Sequence, residues 1–274
     1  AVFPPEKILT INMPTKFNSK TTQDLAKKCA ENFGVEYRVI PINELFESQV
    51  TTLTSSGFSP LSKLVKENIQ ARLRGQQLAS IAAHVGGVFT NNGNKTEVAL
   101  NYFTLYGDAA GAAAFLGDLW KGQVYELAKF INQINNQKLI PDGIITIVPS
   151  AELSEDQNVD EGKGDPIYYE YHDKLLRAFI EYRVSITDIA KKFEDKTLEA
   201  YLDLESGRID YYFKTPDAFI ANLEWAWKGY NTEYKRVQLP PVLLTSRRAF
   251  GFDRRDTIAT SFISQEYLAN NCNW

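Results

Sequence analysis

Residues 90–108, TNNGNKTEVALNYFTLYGD, concentrate groups that can do chemistry. The stretch opens with small polar residues after an apolar run, where backbone N–H groups and hydroxyls can approach phosphates. Lys95 and Glu97 follow at the start of a helical pattern. Glu97 suits a Mg²⁺ ligand, since that ion is held by one or two carboxylates plus substrate phosphates. It equally suits capping of a first helical turn. Lys121 opens another helical pattern in Leu119-Trp120-Lys121-Gly122-Gln123-Val124, where a cation opposes the helix dipole and so suits an anion. Ser150, in Pro149-Ser150-Ala151-Glu152-Leu153, places a hydroxyl after a strand-like run, where it could meet a phosphate. Asn68, Arg72 and the less well aligned Arg74 fall near one helix face, either a solvated face or a polar site. Arg247, Arg248, Arg254 and Arg255 flank Phe250-Gly251-Phe252, as phosphate forks or as a basic surface arm. His84 and His172 show no metal or nucleophile-relay spacing and read as structural histidines.

These residues need elements to hold them. Residues 7–12 are β-branched and short, a buried strand ended by Met13-Pro14-Thr15. Residues 19–33 carry helical periodicity through Leu25, Cys29 and Phe33, with Gly34 as a stop. Residues 36–40 form the next strand, and the β-α-β unit makes the two strands parallel. A long helix follows over 61–83, then a third strand over 85–89. The polar loop 90–94 lies at that strand's C-terminal end, where open α/β sheets bind ligands. Further helices are expected over 119–134, 167–192 and 215–230, the last with Phe219, Trp225 and Trp227 on one face. Residues 109–114 form a small-residue loop, 154–165 an acidic loop, and 235–262 an extended arm rich in Arg and Pro.

The chain has 274 residues, 44% of them apolar, enough for one large core or a core plus an appendage. A net charge of −4 argues against a general nucleic-acid binder. Cys29 and Cys272 share no metal or redox spacing, which fits a reducing, cytoplasmic compartment. No apolar run is long enough to span a bilayer. The opening Ala1-Val2-Phe3-Pro4-Pro5 reads as the start of a piece of something longer.

Taken together and in order, these segments resemble NAD synthetases. The resemblance rests on Asn-Ile-Gln-Ala-Arg at Asn68 to Arg72, a loose Thr-x-Asn-Lys-Ser-Glu loop at Thr90 to Glu97, and Tyr-Phe-Thr-Leu-Tyr-Gly-Asp at Tyr102 to Asp108. It continues through Leu-x-Lys-x-Gln-Val at Leu119, Pro-Ser-Ala-Glu-Leu at Pro149 and Gln-x-x-Asp-Glu at Gln157. The tail, Lys235-Arg236 through Pro240-Pro241 to Ser246-Arg247-Arg248-Ala249-Phe250-Gly251-Phe252-Asp253-Arg254-Arg255, looks like the glutamine-dependent branch.

That resemblance implies an α/β fold with a parallel sheet flanked by helices, Rossmann-like and of the adenine nucleotide alpha hydrolase type. It implies a nucleotide-binding synthetase domain over 1–183 and a helical and extended C-terminal part over 184–274. The implied reaction is ATP-dependent amidation of nicotinate adenine dinucleotide through an adenylate. ATP would meet Met13, Thr90, Lys121 and Ser150, Mg²⁺ would meet Glu97, and the dinucleotide would meet Asn68, Arg72, Phe103, Thr104, Asp108, Lys235 and Arg236. Ammonia would come from a nitrilase-like glutaminase domain of the same polypeptide, and the assembly would be a homo-oligomer built through the 61–83 helix. A different ATP pyrophosphatase, or a non-catalytic fragment of this fold, is the alternative. Two departures stand out. The family's Ser-Gly-Gly-x-Asp-Ser phosphate loop does not occur in this string, so these residues alone are expected to be inactive. The second Asp expected after Asp108 is replaced within Asp108-Ala109-Ala110-Gly111-Ala112.

Overall fold

The computed structural model describes residues 3–232, 234–250 and 269. Its chain divides into two compact units, Ala1–Gly87 with Tyr106–Asp108 and Tyr125–Pro166, and Val88–Leu105 with Ala109–Val124 and Ile167–Trp274.

In the first unit, β1 (Leu9–Asn12) leads into α1 (Lys20–Phe33) and β2 (Glu36–Val39). The strands pair in parallel, Leu9 against Glu36 through Asn12 against Val39, as the β-α-β pattern requires. Ser19 caps α1 by accepting the Thr22 amide at 3.2 Å, and Gly34 ends it in a left-handed conformation. The next helix, α2 (Asn43–Ser55), is absent from the sequence reading. Its Val50, Thr51, Thr52 and Thr54 are poor helix formers, and no side chain caps its start. Packing forms it instead, since Phe46, Val50 and Leu53 join Met13, Ile42, Ile69 and Leu73 in one core. Then comes α3 (Lys63–Val85), capped by Ser62 and closed by left-handed Gly86.

The second unit contains α4 (Lys95–Ala99), and α5 (Lys121–Ile134) begins there and continues into the first. The third strand expected over 85–89 does not form. Val85 ends α3, and Gly86-Gly87 splits the apolar run, leaving too few residues for a ladder. Two isolated parallel bridges, Asn91 to Ala114 and Ala114 to Val242, stand there instead. Among the described residues the sheet therefore has two strands. The strand-like run before Ser150 is also corrected, because α6 (Asp142–Thr146) occupies it. Gly143 is what lets that helix lie against α1: a Cβ there would sit 2.8 Å from a Leu25 methyl.

The remaining helices are α7 (Tyr169–Ile180), α8 (Ile186–Glu194), α9 (Leu198–Tyr201), α10 (Arg208–Tyr212) and α11 (Pro216–Asn231). The single helix expected over 167–192 is broken at left-handed Arg183, and Ser185 with Asp188 restarts it with a capping box. A continuous apolar core joins Leu100, Leu175, Phe179, Ile189, Phe219 and Leu223 in this unit. Among the described residues no helix is long and apolar enough to cross a membrane.

His172 is fully buried in that core, as its structural reading requires. Its Nδ1 accepts the Tyr168 amide at 2.9 Å and its Nε2 faces Asn222 Oδ1 at 3.0 Å. Burial pulls its pKa down to about 4, against hydrogen bonds from Tyr168 and Asn222 that favour the charged form. The folded state thus excludes a proton that the unfolded chain binds near the ordinary value of 6.5. His172 contributes full stability above that value and loses it as pH falls toward about 4. Urea denaturation is expected to lose about 3 kcal/mol across this window, and less in His172→Gln. Parallel pH profiles for the two chains would contradict the assignment.

Candidate functional site

In the second unit, the polar loop before α4 is built around Asn91 and Asn94. Asn91 donates its amide to Ala113 O at 2.9 Å and accepts the Gly93 amide at 3.0 Å. Gly111 lies opposite, where a Cβ would meet Asn91 N at 2.6 Å, so this position must be glycine. Thr90 is exposed, its hydroxyl donating to Asn92 Oδ1 at 2.9 Å. Asn94 caps α4, accepting the Thr96 and Glu97 amides at 3.0 and 3.1 Å.

Glu97 completes the capping box, with Oε2 accepting the Asn94 amide at 3.0 Å. Its other oxygen, Oε1, lies 3.3 Å from the Tyr169 hydroxyl and 4.0 Å from Lys121 Nζ. Lys121 Nζ stands 5.1 Å over the Tyr169 ring. Both charged side chains are about one-fifth exposed, so Glu97, Lys121 and Tyr169 form a charged cluster that is neither sealed nor fully solvated. The capping geometry is real, and the sequence signal for it was the Asn94-x-x-Glu97 spacing. A role for Oε1 at a cation is compatible with it. Among the described residues no three His, Cys, Asp or Glu side chains converge as a metal cage. Mg²⁺ held through one carboxylate and phosphate oxygens demands less, and Glu97 fits that donor set.

Beneath the loop, Lys95 meets a partner that sequence reasoning did not name, Asp118. Lys95 Nζ and Asp118 Oδ1 are 2.8 Å apart, and both side chains are fully buried. Asp118 Oδ2 accepts the Thr245 and Ser246 amides, each at 2.6 Å, and Ser246 Oγ lies 2.9 Å from Lys95 Nζ. Lys95 also stands 5.0 Å over the Trp120 ring. Burial alone would push the Asp118 carboxyl up, but Lys95, Thr245 and Ser246 together hold it below its usual range.

Lys235 and Arg236 lie in the same unit. Lys235 Nζ donates to Asn101 O at 3.0 Å and Phe103 O at 2.8 Å. The fully buried Arg236 guanidinium reaches Val98 O, Ala99 O, Gly229 O and Tyr230 O at 2.6–3.0 Å and faces the Phe250 ring. This geometry makes Arg236 a fastener of two helix ends, where the sequence reading placed it against a dinucleotide. Phe103 and Thr104 are half-buried.

In the first unit, Met13 is buried and its carbonyl accepts Arg74 Nε at 3.0 Å. Arg74 NH2 also donates to Asn18 Oδ1 at 3.2 Å. Burial lowers the Arg74 pKa to about 10, against the charges of Asp108 and Glu152 that raise it. Of the cationic pair on α3, then, Arg74 is the one turned inward, whereas Arg72 is exposed and Asn68 half-buried. Gly75 and Gly107 allow the Tyr106–Asp108 segment to lie on α3, since a Cβ on Gly107 would sit 2.8 Å from the Ala71 carbonyl carbon. Ser150 Oγ donates to Gln157 O at 2.7 Å and accepts the Glu152 amide at 3.2 Å. Glu152, left-handed and buried, holds the Ser19 amide and the Thr22 hydroxyl at 2.9 and 2.6 Å. Burial pushes the Cys29 thiol up, away from a nucleophilic role. Arg254, Arg255 and Cys272 lie outside the described residues.

The NAD synthase family profile matches residues 1–207. The chain belongs to the NAD synthase family. It is 34% identical over 258 residues to the glutamine-dependent NAD(+) synthetase of Thermotoga maritima, covering 94% of this chain and 40% of that one. Against the Xylella fastidiosa Temecula1 protein of the same name it is 31% identical over 259 residues, covering 94% and 42%. It thus spans about two-fifths of the length of these relatives. A crystal structure of a glutamine-dependent NAD(+) synthetase from Cytophaga hutchinsonii superposes with a TM-score of 0.69 at 17% identity. It covers 96% of this chain and 40% of that one, a likeness of fold. The α/β class with parallel strands expected from the sequence is therefore the NAD synthase fold.

Removing one partner of the Lys95–Asp118 pair strands a buried charge. Asp118→Asn is expected to cost about 3–5 kcal/mol in denaturant unfolding, and Lys95→Met with Asp118→Leu to recover most of it. A loss below about 1 kcal/mol for the single variant would show that the pair is solvated in solution.

Proposed function

We infer that these residues form the synthetase part of an enzyme that amidates nicotinate adenine dinucleotide to NAD at the expense of ATP, with glutamine as the nitrogen source. The observation that carries this reading is the Glu97–Lys121 cluster beside a polar, capped loop, in a chain of the NAD synthase family. The dinucleotide carboxylate attacks the α-phosphorus of ATP and pyrophosphate leaves. Ammonia then attacks the adenylate carbonyl and AMP leaves. A carboxylate is a poor electrophile, so the first step supplies the leaving group that the second requires.

Lys121 and the loop at Thr90 meet the phosphates as cation and hydrogen-bond donors. Met13 and Ser150, in the other unit, are proposed ATP contacts on the resemblance alone. Mg²⁺ at Glu97 would neutralise charge on the phosphate oxygens. Asn68, Arg72, Phe103, Thr104, Asp108 and Lys235 are proposed dinucleotide contacts on the resemblance alone, with Arg236 acting indirectly by fastening α4 to α11. Ammonia is proposed to arrive from a glutaminase domain of the same polypeptide, in a cytoplasmic homo-oligomer. Leu64 and Val65 are exposed on α3 and are available to such an interface.

Glu97→Gln in the full polypeptide tests the assignment. Turnover to NAD is expected to fall about tenfold to a thousandfold, the span of one lost transition-state contact, with partial recovery at raised Mg²⁺. The melting temperature should barely move, because the amide oxygen can still accept the Asn94 N–H. Parent turnover with a lowered melting temperature would make Glu97 a cap and nothing more.

A further inference from the structure

Asp173 lies on α7, outside every motif discussed above. Its Oδ1 accepts the Thr96 hydroxyl, and its Oδ2 accepts the Gly122 amide at 2.8 Å. The fully buried Thr96 in turn accepts the Lys121 amide on Oγ1 at 3.2 Å. One carboxylate thus ties the first turn of α4 to the first turn of α5. The atoms it holds belong to Thr96 and Gly122, the chain neighbours of Glu97 and Lys121.

Tyr169 stands one turn earlier on α7, at i−4, on the same helix face as Asp173. It touches both charged groups, with its hydroxyl on Glu97 and its ring under Lys121. α7 therefore presents a clamp and an aromatic platform to the same pair. The Asp173 carboxylate caps the first turn of α5 and, through the same group, reaches the first turn of α4. Burial works against its charge and raises its pKa, and the Thr96, Gly122 and Lys121 donors offset that cost only in part.

We propose that Asp173 is a positioning residue that sets the separation of Glu97 and Lys121 to suit the polyphosphate of ATP. The proposal rests on the reading of Glu97 and Lys121 given above. It makes Thr96 the obligatory intermediate, because the hydroxyl is what passes the constraint to α4.

The test uses Asp173→Asn, Thr96→Val and Thr96→Ser in the full polypeptide, with crystal structures, melting temperatures and steady-state kinetics for ATP. Asp173→Asn and Thr96→Val are expected to widen the Nζ–Oε1 separation beyond the present 4.0 Å. Thr96→Ser keeps the hydroxyl and should retain the parent separation. Asp173→Asn should raise KM for ATP on the order of tenfold, the scale of one charge-assisted hydrogen bond. Combined with Lys121→Ala, it should add nothing further to KM, since both act through one cation. An unchanged separation, or KM effects that multiply in the double variant, would overturn the proposal. So would a fall in melting temperature with KM for ATP unmoved. If Lys121→Ala leaves KM for ATP unaltered, the reading of Lys121 fails, and the crystallographic separation still decides whether Asp173 positions the pair.

Discussion

The buried Lys95–Asp118 ion pair is the constraint around which the second unit is arranged. Two charges removed from water are costly unless the remaining hydrogen-bonding capacity is satisfied. Here the Thr245 and Ser246 amides and the Ser246 hydroxyl supply that satisfaction. The pair therefore forms only when the polar loop, the segment before Trp120 and residues 245–246 are all in place. α4 depends on it most. Five residues cannot hold a helix in water, because nucleation outweighs so few hydrogen bonds. Lys95 anchors its first turn to Asp118, and Arg236 anchors its last carbonyls, Val98 and Ala99, to the end of α11. Glu97 rides on a helix fixed at both ends from outside.

The same logic separates what could be read in the sequence from what could not. α1 and α3 were legible because local signals agree with packing: Ser19 and Ser62 cap them, and Gly34 and Gly86 end them. α2 was not, because its threonines speak against a helix and only Phe46, Val50 and Leu53 in the core speak for one. α6 failed for a related reason, being a β-branched run that packs on Leu25 through Gly143. The break after α7 was marked in the string by Ser185 and Asp188, a capping pair that went unused.

For the site, motif order pointed to Glu97, Lys121 and the loop at Thr90, and Glu97 and Lys121 do converge. Motif order could not assign the roles of their neighbours. A buried Lys95 and a buried Arg236 look, as letters, like phosphate-seeking cations. Their chemistry is decided by Asp118 in one case and by four carbonyls in the other, partners far away in sequence. Arg74 rather than Arg72 turns inward because Met13 O and Asn18 wait for it, and spacing along α3 does not reveal them.

The proposed adenylation of a carboxylate leaves a direct signature. Labelled pyrophosphate should exchange into ATP when the full polypeptide is given nicotinate adenine dinucleotide and no ammonia or glutamine. Exchange that requires the dinucleotide, and that weakens when Lys121 is replaced by alanine, is the predicted result. Absence of exchange while NAD is still produced, or release of ADP in place of AMP and pyrophosphate, would contradict the account.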